Sequence, residues 1–513
     1  MTPESLARML ESYLAEARDA VILEDGETLF DLATARYSIS AEHGKCVLHL
    51  WSEERNTVRR VLEAEVRHDV LRLSVQRFGQ AKPAKLEICR ERDRRTPSAR
   101  KAARATYQRR LGRILERGFP DLRVERLSSA MDLERSFGPI YCRGMVRRGR
   151  SVFAVLGVNA QEMQPSIDAS LTFGLLWLDH LRQREAARAV VEGLKLFVPP
   201  GASAVVRERM AHLNRGAAKF ELYELNELEE NLEAMDTADR GNIATRLVRC
   251  PDETAARERF AACIARIASL LPQAQAAVLS PSAIAFRLHG LEFAQARMEA
   301  ERGSFRSTEQ IVFGVGANET VLDERNAEFF ASLIGALAKA RRADGRRDDP
   351  LWRMRPERWL EALVVKDVGA LDSRLDPAAA YSQVPAFSAS DRAMIDVLAA
   401  TRDGRLAVLE LKAEEDIHLP LQGLDYWARV SWHHARGEFQ KYGYFPGREL
   451  SAEAPLLFLV APALRVHPAT DTLLRYLAPE IEWTLLGVDE RWREGVRVVF
   501  RKKRTTLTAN ERG

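Results

Sequence analysis

At 513 residues with 46% hydrophobic and 29% charged content, the chain is too long for one ordinary core and too apolar to be disordered, so two to four globular domains are expected. A formal charge of only +4 excludes a uniformly basic coat and confines any nucleic-acid contact to local patches. The five cysteines, Cys46, Cys89, Cys142, Cys250 and Cys263, contain no CxxC pair, which argues against a zinc ribbon and fits reduced thiols in a cytosolic protein.

The opening Met1-Thr2-Pro3-Glu4-Ser5 reads as a helix cap and first turn, not a signal sequence, and the most apolar stretch, Leu171 to Leu178, is too short to span a bilayer. A cytoplasmic protein without a membrane partner is expected. After a helix to about Ala20, alternating patterns at Tyr37 to Ser40 and Cys46 to Trp51 predict strands joined through Glu42-His43-Gly44, within a β-rich region over residues 1–95. A basic segment, Arg90 to Arg117, carries Leu111, Ile114 and Leu115 at helical spacing. It opens a region, residues 96–228, that reads hairpin, helix, strand, helix, strand from Pro139 to Leu225, followed by a mixed α/β region over 229–343. The run Arg341 to Pro350 is charged, contains glycine and ends in proline, the composition of a solvated linker. Residues 351–505 read as helix (Pro356 to Val368), strand (Tyr381 to Phe387), hairpin (Met394 to Leu398 with Leu406 to Ala413), helix (Leu421 to Gly437), strand, helix and strand. The fold class is α/β, or mixed α+β.

The hairpin carries the chemistry. Asp403-Gly404 is a strong turn signal, and with Arg402 to Gly404 as the loop, Asp396 and Glu410, each seven residues from Asp403, stand opposite each other. Directly opposed Cβ atoms lie roughly 4.5–5.5 Å apart, close enough for two carboxylates to share one ion. Glu410 and Lys412 project from one face of a strand that is otherwise nearly all apolar from Leu406 to Leu411. Charges at the end of a central strand need a reason. Two carboxylates and water make a hard-oxygen site for Mg²⁺ or Mn²⁺, with an ammonium placed to orient or help deprotonate an attacking water.

Ile395-Asp396 followed by Glu410-Leu411-Lys412 resembles the PD-(D/E)xK nuclease superfamily over about Trp352 to Val498, with isoleucine in place of the signature proline. The resemblance implies a restriction-endonuclease-like αβββαβ core, divalent-metal catalysis and a nucleic-acid substrate. It also implies Asp396 and Glu410 as metal ligands and Lys412 as the catalytic lysine. Gln422 and Tyr426, four apart on the next helix, match the Gln-xxx-Tyr motif of RecB-type members and join the catalytic set. The helix-borne acid that points at the metal in this family corresponds to Glu361, with Glu357 one turn earlier as its rival. His418, His433 and His434 lack a second ligand spacing and are read as structural.

Ala154-Val155-Leu156-Gly157-Val158-Asn159-Ala160 parallels Ala407 to Ala413 position by position, 253 residues apart. The same offset puts Arg143, Gly157 and Asn159 where Asp396, Glu410 and Lys412 stand. Residues 96–228 therefore read as a degenerate nuclease-like copy that cannot hold a hard cation. Its first helix would offer Arg100, Lys101, Arg104, Arg109, Arg110 and Arg113 to phosphates. The whole predicts a Mg²⁺- or Mn²⁺-dependent deoxyribonuclease of DNA repair or of defence against foreign DNA, with upstream regions binding nucleic acid or partners. An inactive nuclease-fold scaffold and a ribonuclease are the alternatives, and a homodimer or larger complex is left open. No G-x-x-x-x-G-K-[ST] loop is present, so no ATP hydrolysis is expected.

Overall fold

The computed structural model describes residues 2–504 except 18–19, 25–26, 33–34, 43, 52–55, 68–69, 78–82, 90–96, 133–135, 242, 301–306, 315–318 and 389–393. The protein is mixed α/β, and its described strands form four sheets. No helix among the described residues is long and apolar enough to cross a membrane. All five cysteines are free thiols. The chain divides into two compact units, residues 1–111 with 159–167, and residues 112–158 with 168–513.

In the first unit, Thr2 caps the helix Pro3–Glu16 by accepting from the Ser5 amide at 3.3 Å, with proline in the first turn where its missing donor costs nothing. This helix buries Leu6, Leu10 and Leu14 against a seven-stranded antiparallel sheet. Strand Lys45–Trp51 shows why the sheet is one-sided: Cys46, Leu48 and Leu50 are buried while Val47, His49 and Trp51 are only half-buried.

The second unit holds two α/β repeats. The division between the units falls within α1 (Pro97–Gly118); the first repeat then comprises β1 (Arg123–Ser128), β2 (Tyr141–Arg148), β3 (Ser151–Val158), α2 (Ser170–Glu185), β4 (Val190–Val198), α3 (Ala204–Ala211), β5 (Lys219–Asn226) and β6 (Asn231–Met235). The second comprises α4 (Pro356–Lys366), β7 (Leu375–Ser388), β8 (Met394–Thr401), β9 (Leu406–Leu411), α5 (Leu419–Ala435), β10 (Leu456–Pro462), α6 (Thr470–Arg475), β11 (Trp483–Val488) and β12 (Val498–Lys503). Their sheets run β1 to β6 and β7 to β12 in chain order, with Thr245–Leu247 added beside β7. In both, three antiparallel strands lead into two parallel steps and a final antiparallel one. The central strands β9, β10 and β11 are buried along their whole length, as sheets covered on both faces require.

The ladders fix which residues correspond. Ala154 lies beside Leu194, and Leu194 beside Phe220, as Val408 lies beside Leu457 and Leu457 beside Trp483. This corrects the alignment expected from sequence. The β2–β3 loop is Gly149-Arg150, one residue shorter than the Arg402–Gly404 loop, so Leu156, not Gly157, pairs with Arg143. Arg143, Leu156 and Val158 thus occupy the places of Asp396, Glu410 and Lys412.

The repeats meet about a local twofold axis. Leu213 and Leu477, each just past the last helix of its repeat, form an antiparallel bridge. The Asn214 amide donates to the Tyr476 carbonyl at 2.8 Å, and the Ala478 amide to the His212 carbonyl at 2.9 Å. Arg209 of α3 grips Asp425 of α5 through two bonds of 2.9 and 2.8 Å, and Arg475 of α6 reaches Asp179 of α2 at 3.3 Å. Between the repeats, five strands from Gln275–Ser280 to Thr320–Val321 pack with helices Ala261–Leu270 and Ala327–Ala340 around their own core.

The expected linker at 341–350 is not solvated throughout. Arg341 is fully buried: it stacks on Trp359 and donates to the carbonyls of His289, Leu351 and Met354. An arginine that satisfies three orphan carbonyls and an indole face can be buried because its charge is matched by hydrogen bonds and the ring quadrupole. Beyond Arg341 the run is largely exposed as expected, with ion pairs Arg342–Asp344 and Arg346–Asp348.

Candidate active site

The β8–β9 hairpin positions the site. Thr401 and Arg405 close the loop, the Thr401 amide donating to the Arg405 carbonyl at 2.8 Å, and Gly404 takes the left-handed φ of +87° that the turn needs. The last ladder pair is Val397–Leu409, and one step further Asp396 and Glu410 face one another. The Leu411 amide donates to Asp396 Oδ2 at 3.1 Å and holds that carboxyl in place. Glu410 is 2% exposed; its Oε1 lies 3.3 Å from Lys412 Nζ, and its Oε2 is buried without a hydrogen-bond partner. Helix α5 lies over the pair at Gly423, where a Cβ would come within 2.5 Å of Leu459 and 3.6 Å of the Glu410 Cβ. On the same helix, one residue before Gly423, Gln422 has a buried Oε1 that also lacks a partner.

The electrostatics follow from crowding two acids in a dry place. Burial, and then the charge of Asp396, push Glu410 well above the usual carboxylate range. Burial also raises Asp396, against the pull of the Leu411 amide, Arg358 and Lys412. Burial works to lower Lys412, but Glu410, Asp416 and Asp396 outweigh it and hold the ammonium protonated above its ordinary value. Tyr426 is raised by burial, and then by the charges of Glu410 and Asp396. Of the two helix acids, Glu361 is the one turned inward. It is 5% exposed, raised to about 7 by burial, and feels the charge of Asp396. Its Oε2 accepts from Arg358 at 2.7 Å and from Gln383 at 2.8 Å. Glu357, in contrast, is only half-buried.

Among the described residues, no three His, Cys, Asp or Glu side chains come together as a ready metal cage. The donors on offer are the Asp396 and Glu410 carboxylates and the orphaned oxygens of Glu410 and Gln422, all hard oxygens. That set fits a Mg²⁺- or Mn²⁺-sized cation completed by water, and it suits neither Zn²⁺ nor a soft metal.

The equivalent place in the first repeat is filled. Phe173 and Trp177 are the fourth and eighth residues of α2, as Gln422 and Tyr426 are of α5. Phe173 stacks on Tyr141 with ring centroids 4.7 Å apart, and Trp177 meets Phe137 edge-on at 5.8 Å. Arg143 lies over Phe137 and donates to the carbonyls of Ala130 and Gly138. An aromatic cluster closed by a guanidinium stands where the second repeat has its paired carboxylates, and the charge of Asp132 acts on that guanidinium.

The arginines of α1 are not equally available. Arg104 is held by Glu162 through bonds of 2.8 and 3.2 Å, and Glu162 also receives Asn159; Arg113 is paired with Glu230 at 2.7 Å. Lys101 and Arg109 are exposed, Arg110 is half-buried, and the side chain of Arg100 lies outside the described residues, as does Asp391. His433 is buried between Thr245 and Glu438. His418 bonds Thr172 of the first repeat at 3.1 Å. Sequence reasoning missed Arg358 and Gln383, which no local motif marks, and it missed the Phe173 and Trp177 substitution, which a count from each helix start would have exposed.

No family model and no curated protein sequence matches this chain.

Proposed function

We propose that the second repeat is a metal-dependent nuclease centre of the PD-(D/E)xK type, built on a restriction-endonuclease-like core, that hydrolyses phosphodiester bonds of DNA. The observation that carries this reading is buried Glu410, with a partnerless carboxylate oxygen, opposite the half-buried Asp396 and beside an ammonium. An acid pair of that kind is expensive to bury unless a cation shares it. A Mg²⁺ or Mn²⁺ held there would supply the positive charge that acidifies water and neutralises the phosphate. Asp396 and Glu410 would hold the cation, with the Gln422 amide oxygen beside them. Lys412, raised by its acidic neighbours, orients the attacking water and offsets charge developing on the phosphate. Tyr426 feels the charges of both acids, and Arg358 and Gln383 hold Glu361, which feels the charge of Asp396.

The test is to incubate purified full-length protein with single-stranded and duplex DNA, with Mg²⁺ or Mn²⁺, beside Lys412→Ala and Asp396→Ala. Metal-dependent cutting that both variants lose is the expected result. Binding without cutting in all three proteins would assign the chain to a scaffold instead, and cutting confined to an RNA strand would make it a ribonuclease.

A further inference from the structure

Resting on the nuclease reading, we infer that the chain nicks duplex DNA, cutting one strand per binding event, because a twofold pair of hydrolytic folds is fused in one polypeptide with only one of the two centres equipped. Duplex DNA has local twofold symmetry, and a twofold pair of hydrolytic folds presents one centre to each strand. Here the axis passes through the Leu213–Leu477 bridge inside a single chain. The start of α5 touches the filled centre. His418, at the start of α5, donates to or accepts from Thr172 at 3.1 Å and lies against Phe173 at 5.8 Å, and Phe173 stacks on Tyr141 in the filled centre. One centre holds Asp396 and Glu410; its twin holds Arg143 and Leu156 at the same ladder positions.

The sheet and the long helix of the first repeat are kept although the acids are gone. Its surface still mates with the second repeat through the buried Arg209–Asp425 clasp, and Asp425 is one of the charges that act on Glu410. The first repeat therefore takes the place of a second subunit: it completes the twofold surface and fixes α5 without contributing a cut. Each nick adds one water across one phosphodiester. A bond forms from phosphorus to the water oxygen, one P–O bond to a sugar breaks, and a proton passes to the departing sugar oxygen, leaving a phosphate monoester and a hydroxyl.

Supercoiled plasmid with Mg²⁺ or Mn²⁺ and limiting full-length protein tests this. The expected result is conversion of supercoiled to open-circular DNA, with linear DNA appearing only late, as independent nicks fall opposite one another, and no conversion by Asp396→Ala. An end-labelled linear duplex should show one strand or the other cut in each early product, not both. Linear plasmid formed together with open circles from the first turnovers would overturn the nicking inference while leaving the nuclease reading intact. Absence of any metal-dependent cleavage by the wild-type protein would overturn the nuclease reading and this inference with it.

Discussion

Burial, and then Asp396, raise Glu410 well above the usual carboxylate range and so favour its neutral form, against the pull of Lys412. Replacing it by glutamine imitates that neutral form. Glu410→Gln should therefore keep the metal-free melting temperature at or above wild type, lose the Tm rise that Mg²⁺ gives wild type, and cut at least about 10³-fold more slowly. Calorimetry with and without Mg²⁺ reads the first two effects and a cleavage assay the third; a lower metal-free Tm would mean that the charged form is the native one. Lys412→Ala should leave the fold nearly unchanged, because the side chain is partly exposed at the strand end, while slowing cleavage by about 10²–10³-fold. The residue pattern at Asp396, Glu410 and Lys412 was legible because period-two alternation and a strong turn are local properties. Arg358 and Gln383 were not, since they reach Glu361 from two different elements that only folding brings together.

At the scale of elements, the hairpin loop decides which residues face which. Gly404 sits at φ +87°, and a Cβ there would stand 2.3 Å from the Glu449 carbonyl oxygen. Gly404→Ala should cost about 1–3 kcal/mol in chemical unfolding and lower activity by disturbing the Asp396–Glu410 register; an unchanged urea midpoint would show that the loop tolerates the strain. The same logic explains why the first repeat was misaligned by one position. The strings Ala154 to Ala160 and Ala407 to Ala413 look alike because buried strands draw on few residue types, but the two-residue Gly149-Arg150 loop shifts the pairing so that Leu156 faces Arg143. Side-chain identity along one strand cannot reveal a register that depends on the turn. The run 341–350 misled for a related reason: its composition is that of a linker, yet Arg341 finds Trp359 and three carbonyls from separate parts of the chain.

For the whole molecule, the joint between the repeats is the structural decision on which the site depends. Arg209→Ala should destabilise the protein by about 3 kcal/mol, because it strands the largely buried Asp425, and Arg209→Met with Asp425→Leu should recover much of that loss. A double change as unstable as Arg209→Ala would deny the clasp its role. His212 lies beside the twofold bridge, edge-on to Trp427 at 5.6 Å, and burial followed by Arg240 depresses it from 6.5 to about 4. A depressed histidine is held neutral by the fold, so its contribution of up to about 3 kcal/mol is present above the unfolded value and is lost as pH falls from about 6.5 towards 4. Urea unfolding at both ends of that window should show the loss in wild type and a smaller loss in His212→Gln. The amino-acid sequence by itself determined the β8–β9 hairpin, the order of helices and strands around it and the opposed positions of Asp396 and Glu410, because periodicity and turn chemistry are written within a few residues. Only the tertiary structure decided the true register of the first repeat, the aromatic filling of its centre and the twofold joint at Leu213 and Leu477, since each arises from contacts between segments far apart in the chain, where no local pattern records the partner.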